Sequence, residues 1–279
     1  MSNEATIARA LEQARAHGVA LLDSRLMLGR LLGRTRTELI AHDDEPLAGP
    51  VAARWNEWLA RRAAGEPLAY LLGEKEFHGL MLEVTPDVLV PRPETELLVD
   101  WVGELVAGFG GPVRVVDLGT GSGAIALAIK QAQPRAVVTA TDASAAALAV
   151  ARRNASRLSL EVEFIAASWW RGLDGRSFDI VVANPPYIRE DDPALAALRH
   201  EPLLALTPGG DGLAALRTIV EGAVPHLGAR GWLLLEHGFD QAEAVRALLA
   251  AAGADAIETR RDLAGHPRAT GARRPVGPP

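Results

Sequence analysis

The 279 residues are 48% hydrophobic with a formal net charge of −6, enough chain to bury a substantial core in one large domain plus a smaller one. That acidic balance argues against non-specific nucleic-acid binding, which needs a basic face to neutralise phosphates. There is no cysteine, so a disulfide framework and a thiolate metal site are both excluded and no metal is expected. The lack of a signal peptide or a long uncharged apolar span gives the expectation of a soluble cytoplasmic protein without membrane contact.

The first part of the chain reads as helical. Ile7, Leu11 and Ala14, then Leu21, Leu22, Leu26, Leu28, Leu31 and Leu32, recur at helical spacing with Gly18 and Gly33 as breaks. A further helix carrying Trp55, Trp58 and Leu59 precedes Gly65-Glu66-Pro67. The expectation is a small helical bundle over residues 1–72, which from spacing alone serves equally well as a structural cap. Glu74 to His78 and Leu80 to Thr85 alternate around Gly79, predicting a β-hairpin that links two domains over residues 73–90.

Pro91-Arg92-Pro93-Glu94-Thr95-Glu96 then opens a helix over Leu97 to Val102. A plain helix start explains Pro93, Glu94 and Glu96, because proline suits the first turn and acids favour the positive end of the helix dipole. It does not explain Arg92, which is a candidate contact to cofactor or substrate. From Val113 onward strands and helices alternate, through a strand at Gly231 to Glu236 and a helix from Gln241 to Ala252. Alternation of this kind predicts a parallel α/β sheet over residues 91–279, with a late hairpin near Ala256 to Arg274 and a disordered tail from Arg273 to Pro279.

Within this alternation Val113 to Leu118 reads as a buried strand running into Gly119-Thr120-Gly121-Ser122-Gly123-Ala124 and then a helix. Glycines there allow a tight turn and a close ligand approach. A second strand, Ala136 to Thr141, ends in Asp142, where an acid can hold ribose hydroxyls. The pattern also satisfies a loose dinucleotide fingerprint. Asp117 before the turn, the close alternation of glycines and a motif further on turn the reading away from nicotinamide.

That motif is Asn184-Pro185-Pro186-Tyr187, at the end of the apolar run Phe178 to Ala183. Proline cannot donate to a sheet ladder, so the strand stops and the Pro185 carbonyl is left free. With the Asn184 side chain it offers two acceptors for the two hydrogens of a planar NH2 group, and Tyr187 can pack on the flat face of that group. The tetrapeptide alone is equally consistent with a surface turn. In an open parallel sheet, however, ligands bind beyond the carboxyl ends of the strands, so the glycine loop, Asp142 and Asn184 are expected along one edge.

A nucleoside cofactor beside a clamp for NH2 is what methyl transfer to a planar nitrogen requires, and at this point the chain resembles the Asn-Pro-Pro-Tyr class of S-adenosylmethionine-dependent methyltransferases. Tyr70-Leu71-Leu72-Gly73-Glu74, Glu76-Phe77-His78-Gly79-Leu80, Val88 to Glu96, Glu201 to Leu206 and Leu233-Leu234-Leu235-Glu236-His237-Gly238 narrow it. In that order they are similar to the release factor glutamine methyltransferases, the PrmC/HemK family. The resemblance implies a Rossmann-like class I methyltransferase sheet, joined through the hairpin to an N-terminal helical domain that docks the protein substrate. It implies N5-methylation of a glutamine in peptide chain release factors by a monomer that uses S-adenosyl-L-methionine. Gly119, Thr120, Gly121, Ser122, Gly123, Asp142, Trp169 and Asn184 are then expected at the cofactor. Asn184, Pro185, Pro186 and Tyr187 are expected at the glutamine, with Asn184, Pro185 and Tyr187 as the catalytic group. Ser168 departs from the family, which usually has an acid before the tryptophan; Trp169 is read as ordinary core nearly as readily as an adenine contact.

An amide nitrogen attacks poorly because its lone pair is delocalised, so the clamp must orient it. No strong base is needed, because the proton becomes acidic only once the methyl is attached. His78, His200 and His237 are accordingly read as structural, and Asp191, Asp192 and Glu201 as a solvated charged loop after the clamp. Two other functions fit the residues: an amino-methyltransferase acting on adenine or cytosine with the same clamp, and a non-catalytic module that uses the fold to bind a partner.

Overall fold

The computed structural model describes residues 6–274 and consists of two units that part between Glu74 and Lys75. The first holds α1 (Ile7–Ala16), α2 (Leu21–Leu32), α3 (Arg36–Ala41), α4 (Gly49–Ala63) and α5 (Leu68–Leu72). Local chemistry sets the ends: Thr6 caps α1 by accepting from the Arg9 amide, Gly33 ends α2 at φ 65°, and Thr35 with Glu38 forms a reciprocal capping box on α3. Ile7, Ala14, Met27, Leu28, Leu39, Trp55 and Leu59 make the core of this unit. The leucines of α2 are not all inside it, since Leu21, Leu22 and Leu26 are 52%, 60% and 45% exposed. Adjacent residues on a helix diverge by about 100°, so the runs of paired leucines cannot share one buried face.

The second unit is built on the hairpin of β1 (Glu74–Phe77) and β2 (Leu80–Glu83). Its two-residue turn places both His78 and Gly79 in the left-handed region, at φ 47° and 78°, the backbone that short hairpins favour. The hairpin is more than the expected linker. Phe77, Leu80 and Leu82 are buried in the main core, and the buried Asn154 accepts from the Glu83 amide at 2.6 Å while donating to the carbonyls of Glu83 and Ser122.

A 3-10 turn, Pro93–Thr95, leads into α6 (Glu96–Val106). Then follow β3 (Arg114–Leu118), α7 (Ala124–Ala132), β4 (Val137–Asp142), α8 (Ala145–Leu158), β5 (Glu163–Ala166) and β6 (Phe178–Ala183). The chain closes with the short α9 (Ala194–Ala197) and α10 (Leu203–Leu206), α11 (Ala214–His226), β7 (Leu227–Glu236), α12 (Ala242–Ala251), β8 (Asp255–Arg261) and β9 (Pro267–Arg273). The sheet has the order β5-β4-β3-β6-β7-β9-β8, with the first five strands parallel and β9 antiparallel to both neighbours. Side chains alternate across it: Val115, Ile180, Val182 and Leu234 face one layer with Leu98, Trp101 and Leu127, while Val116, Val181, Leu233 and Leu235 face the other with Leu216, Ile219 and Val245. Near-continuous apolar strands are what a parallel sheet buried on both faces demands.

At the carboxyl end the tail departs from expectation. Arg273 belongs to β9, and Arg274 donates its amide to the Gly231 carbonyl at 2.7 Å; the remainder of the expected tail lies outside the described residues.

Candidate active site

Strand order reverses between β3 and β6, and these two strands run side by side with Leu118 paired to Ala183. The residues that follow, Gly119 and Asn184, therefore leave the sheet at the same level. Asp142 ends β4 next door, in register with Ala166 of β5, and Leu235 pairs with Ala183 so that Glu236 is level with Asn184. Register thus gathers one residue from each strand end into a row, at the crevice where open α/β sheets bind ligands.

The glycine loop owes its shape to left-handed backbone at Gly119, Gly121 and Gly123, with φ 75°, 56° and 85°. Gly119 is also tightly placed, because a Cβ there would lie 3.3 Å from the Trp169 ring, which would have to shift. The loop is held from inside. Thr120, 7% exposed, donates its hydroxyl to Asp117 at 2.6 Å, and Ser122 is buried at 3%. The loop therefore presents backbone rather than those two hydroxyls to the crevice. Asp142 accepts from the Gly121 and Ser144 amides at 2.9 and 2.8 Å, which leaves lone pairs on both oxygens. Burial raises its pKa, against those amide hydrogen bonds.

Asp117 is fully buried and its Oδ1 has no hydrogen-bond partner in the protein. Burial pushes this carboxyl up to about 7, with Thr120 and the Ala126 amide opposing. A buried acid beneath a loop of open backbone fits a ligand that carries positive charge. In the sequence Asp117 served only to turn the reading away from nicotinamide, not as a site residue.

Trp169 sits at φ 53°, just after β5, with its ring against Gly119 and against the core layer beneath. The packing accounts for this residue as core, at a position that also borders the glycine loop. Trp170 is plainly structural: its indole N–H donates to the Ile219 carbonyl at 3.1 Å and its ring stacks on His226 at 4.7 Å. Ser168 is exposed.

Asn184, Pro185 and Tyr187 line a cavity of about 220 Å³ together with Leu89, Arg92, Ile188 and Leu206. Pro186 faces a separate, wider cavity that it lines with Trp169, Leu203 and Leu204. The Asn184 amide nitrogen donates to Thr95 Oγ1 at 3.1 Å, which leaves its oxygen as the free acceptor of that side chain. Tyr187 donates its hydroxyl to Glu236 Oε1 at 3.3 Å, and its carbonyl accepts from Gln241 at 2.9 Å. The close pass of Gly212, where a Cβ would lie 2.3 Å from that carbonyl, fixes the same stretch of backbone. Burial raises the Tyr187 phenol and pushes Glu236 up to about 7.

Glu201 corrects the reading of a solvated loop. It is 6% exposed, accepts from the Val90 amide at 3.0 Å, and pairs with Arg92, which borders the cavity. A carboxylate can be buried here because a guanidinium and a backbone amide satisfy it. Asp191 and its neighbour Asp192 are exposed or nearly so. His237 is buried between Thr270 and the Gly238 carbonyl, with its pKa lowered by burial. His78 pairs with Asp100 at 3.1 Å. Thr95 and Glu236 were missed as site residues, because one looked like helix start and the other like the end of an apolar strand.

Comparison with known proteins matches residues 95–235 to the methyltransferase small domain and residues 5–73 to the PrmC N-terminal domain. A release factor glutamine methyltransferase from Burkholderia pseudomallei is 51% identical over 96% of this chain and 97% of its own. One from Bordetella pertussis is 50% identical over 91% of this chain and 95% of its own. Among solved structures, a 16S rRNA N2 methyltransferase from T. thermophilus in complex with AdoMet and guanosine covers 72% of this chain and 49% of its own at a TM-score of 0.53 and 18% identity, a likeness of fold. The sheet is that of the class I methyltransferases, and the chain belongs to the release factor glutamine methyltransferases.

Proposed function

We infer that this chain methylates the side-chain amide nitrogen of a glutamine in peptide chain release factors, with S-adenosylmethionine as the methyl donor. The observation that carries the chemistry is the pairing of Asn184 with Thr95, which leaves the Asn184 oxygen as an acceptor on a residue that lines a cavity one strand away from the glycine loop. Family membership supplies the acceptor.

Gly119, Gly121, Gly123, Asp117, Asp142 and Trp169 would hold the cofactor, with Thr120 and Ser122 shaping the loop from within. Bound there, S-adenosylmethionine supplies a methyl group on a positively charged sulfur. The protein's own contribution is orientation. Asn184 Oδ1 and the Pro185 carbonyl accept the two hydrogens of the glutamine NH2, which favours pyramidal nitrogen and aims its lone pair. Tyr187 holds the amide plane, its ring fixed by the hydroxyl bond to Glu236. Pro186 supports the turn, and Leu89, Ile188 and Leu206 keep water from the reacting amide. Neither His78 nor His237 is a base in this scheme.

The N-terminal unit, with Leu21, Leu22 and Leu26 exposed on α2, docks the release factor in this reading. The enzyme acts as a monomer in the cytoplasm, without nucleic acid. The test is transfer of labelled methyl from S-adenosylmethionine to purified release factor, with a Gln→Ala substrate and an oligonucleotide as parallel acceptors and mass spectrometry to place the label. Label on the glutamine, lost with Asn184→Ala, is expected; label on the oligonucleotide alone refutes the acceptor assignment.

A further inference from the structure

The clamp works only if Asn184 presents its oxygen. A side-chain amide is nearly symmetric in shape, and its other end would point N–H at the N–H of the substrate, donor against donor. Something must therefore fix which end faces the cavity.

Thr95 is 4% exposed and receives the Asn184 amide nitrogen at 3.1 Å. A hydroxyl has a single proton, so when its oxygen accepts from Asn184 that proton must go to another acceptor. Glu236 supplies one. Thr95 is among the groups that favour the charged form of this carboxyl, which is 1% exposed and whose Oε2 has no hydrogen-bond partner in the protein. If Asn184 turned over, its N–H groups would face the substrate and Thr95 would have to give its proton to the Asn184 oxygen. The same carboxyl takes the Tyr187 hydroxyl on Oε1 at 3.3 Å. One buried acid thus holds Tyr187 directly and lies near the Thr95 that holds Asn184. Strand pairing puts it there, because Leu235 of β7 is in register with Ala183 of β6.

We propose that Thr95 and Glu236 are positioning residues of the methyl transfer, which act by holding the Asn184 amide with its oxygen toward the glutamine and by anchoring Tyr187. The proposal rests on the function inferred above. It concerns geometry at the reacting nitrogen rather than affinity, so its signature is a loss in kcat with binding intact.

The experiment compares Thr95→Val, which keeps the shape and removes the hydroxyl, with Thr95→Ser, which keeps the hydroxyl, in the full-length enzyme with release factor as substrate. Expected for Thr95→Val is a fall in kcat of about tenfold to a hundredfold, with KM for release factor and the Kd for S-adenosylmethionine within about twofold of the parent. Thr95→Ser is expected to restore most of the loss, and Glu236→Gln to lower kcat as Thr95→Val does. Turnover by Thr95→Val within about twofold of the parent overturns the proposal, and so does a loss spread evenly over kcat, KM and cofactor binding. Should Thr95→Val fail to fold, Glu236→Gln decides alone: burial already disfavours the charged carboxyl, so the amide costs little in folding. A parent enzyme that leaves the glutamine unmethylated refutes the functional reading instead; an active parent with an equally active Thr95→Val refutes only this inference.

Discussion

Gly119→Ala probes the contact between the glycine loop and Trp169, and Gly121→Ala provides its internal control. Both glycines are left-handed, at φ 75° and 56°, but a Cβ at Gly119 would meet the Trp169 ring at 3.3 Å whereas at Gly121 nothing lies within 4 Å. Left-handed backbone costs an L-residue about 1–2 kcal/mol, and the smaller entropy of unfolded alanine returns about 0.4–1 kcal/mol. Gly121→Ala should therefore lose about 1 kcal/mol. Gly119→Ala carries the same strain plus displacement of a large ring packed on the core layer, a further 1 kcal/mol or so as for mild overpacking. At about 2–4 °C per kcal/mol for a domain of this size, its Tm without cofactor should lie below that of Gly121→Ala by a similar number of degrees. Thermal melts followed by near-ultraviolet circular dichroism read both, and Trp169→Leu in the Gly119→Ala background should remove the difference. Equal losses at the two glycines would refute the claim that the Trp169 ring is held firmly across the loop.

Asp117 and Glu236 are both raised to about 7 by burial, above the usual unfolded values of about 4. The folded state holds their protons more tightly, so the stability they contribute is fully present below about pH 4 and is lost as pH rises through 7. Asp117→Asn and Glu236→Gln should each reduce the drop in stability between about pH 5.5 and pH 8 by roughly 2 kcal/mol relative to the parent, as denaturant melts at the two pH values would show; an unchanged drop refutes the buried-acid account. On the N-terminal unit, Leu22→Asp with Leu26→Asp, both exposed in the parent, should raise KM for intact release factor about tenfold or more while leaving activity on a short glutamine peptide and the melting transition unchanged. Equal effects on protein and peptide would remove the docking role from α2.

What the sequence made legible is local. The run from β3 through the glycine loop into α7 announces itself by the change from strand to helix period, and Asn184-Pro185-Pro186-Tyr187 by the chemistry of proline at a strand end. Alternation of strands and helices was enough to place both motifs on one edge of a parallel sheet. The leucines of α2 show where periodicity stops being informative. Leu22 and Leu28 look alike in the sequence, yet one is exposed and the other buried, because which side of an apolar helix is covered depends on what packs there.

The polar members of the site were harder to read for a different reason. Glu201, Thr95 and Glu236 each have an adequate local explanation, as a loop acid, a helix start and a strand end. Their partners are distant in sequence: Glu201 meets Val90 and Arg92, Thr95 meets Asn184, and Glu236 meets Tyr187. Such pairs exist only once the strand order and the register are fixed. Register is the stronger constraint, because the side-chain period of a strand is two and a slip of a single residue turns every side chain to the opposite face. In β7 a one-residue shift would aim Glu236 away from Tyr187 and bring Leu235 toward it. The apolar alternation that buries Leu233 and Leu235 in one layer and Leu234 in the other is therefore also what delivers a carboxyl to the clamp. Core and candidate site are specified by the same pattern, and a substitution that loosens strand pairing in β7 should cost turnover before it costs the fold.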